Sequence, residues 1–88
     1  MSADPAFVAA FDALPEGGYG GTYQGKRWRL TKATMAAGRS QKLEAEELGG
    51  TGYVSMNLYR LADGTALLKP CEMPEERVIA FVTGVAVD

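Results

Sequence analysis

The sequence predicts an α+β fold: an antiparallel β-meander of three long strands and one short strand, packed by a C-terminal helix, with a short N-terminal helix. Three observations carry this expectation. Apolar and polar residues alternate through Lys26–Met35, Ser40–Leu48, Tyr53–Leu61 and Ala66–Lys69, the period of a strand with one buried face. Turn residues separate the runs at Ala37-Gly38, Gly49-Gly50-Thr51-Gly52 and Asp63-Gly64, and links so short join antiparallel neighbours. The register these turns impose then gathers the apolar residues on one side.

That register can be worked out, because directly opposed residues share a face. A hairpin closed over Ala36–Arg39 sets Leu30 opposite Ala45 and Arg29 opposite Glu46. A second, closed over Leu48–Thr51, sets Ala45 opposite Val54 and Leu43 opposite Met56. A three-residue loop, Ala62-Asp63-Gly64, sets Leu58 opposite Leu68 and gives Gly64 the left-handed position. All three agree on one apolar face made of Trp28, Leu30, Leu43, Ala45, Val54, Met56, Leu58 and Leu68.

The remaining elements flank this sheet. Asp4 and Pro5 suit an N-cap and a first helical position; Phe7, Phe11 and Leu14 recur at helical spacing, and Pro15 ends a helix over 5–14. Residues 15–25 hold Gly17, Gly18, Gly20, Gly21 and Gly25. A phosphate-cradling loop needs a strand before it and a helix after it; here the order is reversed, and the stretch reads as a flexible connector. Near the other end, Pro74 suits a first helical position, and Glu75 and Glu76 suit the positive end of the helix dipole. Val78, Ile79, Phe81, Val82 and Val85 form the apolar stripe, with Thr83-Gly84 as the end. Residues 1–21 thus read as helix and Gly-rich connector, and 22–88 as a single β-meander plus helix domain. On this reading, removing residues 1–18 leaves the sheet folded.

Composition narrows the chemistry. The 88 residues are 47% hydrophobic and 23% charged, the balance of one globular domain. No apolar stretch approaches the ~20 residues of a membrane helix, so no membrane contact is expected. Met1-Ser2-Ala3-Asp4-Pro5 carries an acid and a proline where a secretory signal has positive charge. Cys71 is the single cysteine, which suggests a reducing, cytoplasmic location. Histidine is absent, which removes the commonest general base and metal ligand and every Ser-His or Cys-His pair. Neither an enzyme nor a metal or cofactor site is expected. Cys71 is flanked by Glu72, Glu75 and Glu76, which oppose a thiolate. Alternation sends Glu44 and Glu46 outward, where nothing desolvates a general acid.

Two features bear on binding. Six of the nine basic residues (Lys26, Arg27, Arg29, Lys32, Arg39 and Lys42) lie in one hairpin without an acid, so residues 26–42 carry +6 and the remainder, three bases against eleven acids, −8. Such a hairpin is a candidate for nucleic-acid binding, unless Glu44 and Glu46 neutralise it across the sheet. The other feature is the outer sheet face, where Tyr53, Ser55, Asn57 and Tyr59 alternate beside the glutamates and arginines. Tyrosine and arginine are enriched at protein interfaces. Arg27, Arg29, Lys42, Tyr53, Asn57 and Tyr59 are therefore the candidate binding residues. A non-catalytic module with a protein partner is the first reading and nucleic-acid binding the alternative, for a monomer or a weak homodimer paired through edge strands.

The segments AEEL (Ala45–Leu48), NLYRL (Asn57–Leu61) and KPCEMP (Lys69–Pro74) resemble short uncharacterised bacterial proteins over roughly residues 22–83. That resemblance implies no named activity. The order helix, three strands, helix resembles double-stranded RNA-binding domains, whose final helix starts lysine-rich where this one starts Pro74-Glu75-Glu76. In topology alone it is also similar to plant-type three-stranded DNA-binding sheets with a packed helix.

The face assignment makes a direct prediction. Leu58→Ala removes an inward side chain and costs about 2–5 kcal/mol of a small domain's stability. Chemical denaturation of the variant measures this, and an unchanged midpoint means the two faces are reversed.

Overall fold

The computed structural model describes residues 3–88. Met1 and Ser2, which begin the segment read as lacking a secretory signal, lie outside the described residues. The elements follow in the order α1 (Pro5–Ala13), β1 (Gly17–Tyr23), β2 (Lys26–Met35), β3 (Ser40–Glu47), β4 (Tyr53–Arg60), β5 (Ala66–Pro70), α2 (Glu75–Gly84) and β6 (Ala86–Val87). The strands form one antiparallel sheet of six, ordered β5-β4-β3-β2-β1-β6. The fold is thus α+β with both helices packed on the sheet, and the meander is longer than the sequence pattern indicates.

All three expected registers are present. Leu30 pairs with Ala45 and Arg29 with Glu46; Ala45 pairs with Val54 and Leu43 with Met56; Leu58 pairs with Leu68. Gly64 has φ +90°, the left-handed conformation its loop requires. Turn chemistry and alternation point to the same pairing, so a one-residue slip would carry every core side chain into water. The inner face is accordingly dry: Leu30, Leu43, Met56 and Leu58 are fully buried beneath Phe7, Phe11, Val78 and Phe81 of the two helices.

The Gly-rich stretch departs from expectation. It is a strand, not a connector: Gly17–Tyr23 pairs residue by residue with Lys26–Lys32. Gln24 and Gly25 both have positive φ (52° and 75°) and close a two-residue hairpin. Glycine has low strand propensity, but here small residues are required. A Cβ on Gly20 would stand 2.8 Å from an Asp88 carboxylate oxygen and 2.9 Å from the Arg27 guanidinium. The strand's larger side chains, Tyr19 and Tyr23, pack against the core.

The N-terminal helix is present where expected, and it docks on the sheet. Asp4 caps it, accepting from the Ala6 N–H at 2.7 Å, and Phe7 and Phe11 are 1% and 0% exposed. Phe7, Phe11 and Leu14 thus belong to one buried cluster with the sheet and α2, so a chain without residues 1–18 would lack three of its core side chains. Lys32 secures the helix from beneath. Its ammonium donates to the carbonyls of Phe11 at 2.8 Å and Leu14 at 2.9 Å and lies 4.3 Å from the Phe11 ring centroid. A cation at a helix C-terminus meets the negative end of the dipole. Burial pushes the Lys32 amine below its ordinary value, with Glu16 and Asp12 opposing that shift. Arg60 on β4 adds an ion pair to Asp12 of α1.

A helix built into the core has a measurable consequence. Phe11→Ala costs about 3–5 kcal/mol, the range for truncating a buried aromatic, and opens the sheet along with the helix. Urea denaturation followed by amide NMR is the check; loss of α1 signals alone, with strand signals intact, contradicts the shared core.

Candidate functional site

The outer face can be built row by row, since paired residues point the same way. One row runs Gly20, Arg29, Glu46, Tyr53 across β1 to β4. The next runs Gly18, Thr31, Glu44, Ser55. A third runs Ala33, Lys42, Asn57, Lys69, and a fourth joins Met35, Ser40, Tyr59 and Leu67. Thr22 and Arg27 form the row at the opposite end. All six candidates, Arg27, Arg29, Lys42, Tyr53, Asn57 and Tyr59, therefore lie on a single face, opposite both helices.

Rows on one face are spaced about 7 Å apart. Arg27 and Tyr59 thus stand at opposite ends of a strip roughly 27 Å long, and no compact cluster brings the six together. Arg29, Thr31, Glu44, Glu46 and Tyr53 line a shallow groove of about 380 Å³ at its centre. Tyr53 is 45% exposed and Tyr59 38%, large fractions for aromatic rings. Lys42 and Asn57 are half-buried, and Asn57 donates toward the Cys71 sulfur at 3.6 Å.

The basic hairpin does not present its six charges together. Lys32 is inside, under α1. Lys26 alternates inward as well and reaches Glu47 at 4.0 Å. Arg39 lies in the β2–β3 turn and donates to the Ala36 carbonyl at 3.1 Å. Only Arg27, Arg29 and Lys42 reach the outer face, where Glu44 and Glu46 interleave with them.

Arg27 also has a partner that sequence reasoning missed. Its two guanidinium nitrogens donate to the two Asp88 carboxylate oxygens at 2.9 and 2.6 Å, and one also donates to the Thr22 hydroxyl at 3.0 Å. Asp88 reaches this position because β6 pairs with β1 and its own N–H donates to the Gly20 carbonyl at 3.1 Å. The available signal was the pair of alternate glycines, Gly18 and Gly20, beside the arginines. The hydrogen bond from Arg27 holds the Asp88 carboxyl below its ordinary value and raises the guanidinium in return.

Among the described residues no group of three His, Cys, Asp or Glu side chains is arranged to hold a metal ion. No helix among them is long and apolar enough to cross a membrane. No protein-family model, curated protein or solved structure matches the chain.

The Arg27–Asp88 pair yields a titration prediction. A carboxyl with a depressed folded pKa adds stability above its unfolded value, near 3.8, and loses it as pH falls through the folded value. In Arg27→Gln the Asp88 pKa rises toward 3.8 and that acid-side contribution disappears. Carboxyl ¹³C NMR reads the shift, and an unmoved Asp88 titration shows that the pair does not form in solution.

Proposed function

We propose that this chain is a small non-catalytic binding module that recognises a protein partner through the outer face of its sheet. The observation that carries the reading is the arrangement of that face. Among the described residues no helix packs over it, Tyr53 and Tyr59 are exposed, and positive and negative side chains alternate across adjacent strands. A phosphate backbone approaching Arg29 or Lys42 would meet Glu44 and Glu46 as well, whereas a partner surface of mixed sign can complement both. Five strands about 4.8 Å apart and a strip roughly 27 Å long give on the order of 500 Å² in projection. Stable interfaces bury about 800 Å² per partner, so the size supports a transient complex over a permanent one.

The absence of histidine supports a role without catalysis, and the single cysteine supports a reducing, cytoplasmic setting. The short edge strands β5 and β6 support a monomer or a weak homodimer. Nucleic-acid binding is the second reading, favoured by the exposed Tyr53 and Tyr59 rings, on which bases could stack.

Two measurements separate the readings. A ¹⁵N amide NMR titration with short mixed-sequence oligonucleotides at low salt leaves Lys26–Lys42 and Tyr53–Tyr59 unshifted on the protein-partner reading. Salt-sensitive shifts confined to those residues would favour nucleic acid instead. A photoreactive phenylalanine at Tyr53, in cells producing the protein, captures a discrete protein adduct that Arg29→Ala abolishes. The same group at exposed Ala80 on α2 captures none. Equal capture at both positions, or none at Tyr53, overturns the assignment.

A further inference from the structure

A second cavity lies on the inner side, where β1 and β2 meet α2. It has a volume of about 290 Å³ and is lined by Tyr23, Trp28 and Phe81 together with Lys26, Glu47 and Arg77. The three rings contact one another, with centroids 5.0 Å apart for Tyr23–Phe81, 4.9 Å for Trp28–Phe81 and 6.0 Å for Tyr23–Trp28. Trp28 is only 5% exposed, yet its indole N–H finds no acceptor among the described residues. A buried donor is ordinarily satisfied; here Trp28 packs into the wall of this cavity by its ring and not through a hydrogen bond.

Charge at the cavity has a definite sign. Lys26 and Arg77 face a single acid, Glu47, which stands 4.0 Å from Lys26. Arg77 is exposed on α2 and forms no ion pair among the described residues. We propose that this cavity binds a small planar aromatic carboxylate. The rings take its flat face or edge, and the excess positive charge takes its carboxylate. Ligand pockets begin at about 300 Å³, so the volume fits a single ring and excludes a large fused system. The two positive side chains disfavour a cation, which an aromatic wall alone would welcome.

Trp28 is the sole tryptophan of the chain, so its emission reports on the cavity directly. The experiment titrates the protein with benzoate, with neutral benzamide and with cationic benzamidinium, three probes of nearly equal shape. Benzoate changes the Trp28 emission saturably, benzamide binds about tenfold more weakly, and benzamidinium gives no saturable change. Arg77→Gln, at an exposed helical position, weakens benzoate about tenfold or more, the lower end of what losing a hydrogen bond to a charged group costs. Arg29→Gln, on the opposite face, leaves benzoate binding unchanged. Equal responses to the three probes, no saturable response to benzoate, or wild-type benzoate affinity in Arg77→Gln overturns the proposal.

Discussion

The structure depends on one constraint: residues directly opposed on paired strands must point to the same side of the sheet. The β2–β3, β3–β4 and β4–β5 hairpins each fix a register, and the three agree. Once they do, the chain has a single choice left, which side to cover. Trp28, Leu30, Leu43, Met56 and Leu58 decide it, because leaving that side in water would forgo about 1.5–3 kcal/mol for each large side chain. Both helices therefore gather on one face, and the polar rows of the other face carry no helix among the described residues, leaving Tyr53 and Tyr59 exposed while Ser55 is buried.

Lys32 shows how the apparent charge pattern of a sequence can dissolve in the fold. As a string, residues 26–42 look like one block of positive charge. In three dimensions Lys32 satisfies the last carbonyls of α1 from inside the core. Burial lowers its pKa, with Glu16 and Asp12 opposing that shift. The lysine is thus held for its hydrogen bonds and its contact with the helix end. Alternation turns Lys26 away from the outer face as well, although its side chain stays exposed at the sheet's end, so a third of the hairpin's basic residues are missing from that face. The outer face is left nearly balanced in sign, and this turns the functional reading toward a protein surface.

Much of this was legible in the sequence, and the exceptions have physical causes. The four strands of the alternating runs and the α2 stripe were readable because propensity, periodicity and turn chemistry agreed there. All six candidate residues fell on one face for the same reason. β1 was hidden because five glycines within residues 15–25 suppress the strand signal, and only Tyr19, Gly21 and Tyr23 at alternate positions hinted at an inward row. β6 has two residues and no pattern of its own; it exists because β1 offers it an edge. Asp88 and the aromatic cavity depend on those two strands and on the docking of α2, so neither could be reached from local pattern alone. The role of α1 was underestimated because ten residues carry little helix stability by themselves, and the Lys32 contact that fixes them is long-range.

The division into a covered face and an open face is tested most directly by hydroxyl-radical footprinting of the free protein, read residue by residue by mass spectrometry. Tyr53 and Tyr59 should be oxidised rapidly, while Phe7, Phe11 and Phe81, each at most 1% exposed, stay protected until the protein unfolds. Oxidation of Phe11 as fast as Tyr53 would show that α1 does not close the core. Protection of both tyrosines in the free protein would show that the face assigned to a partner is already covered.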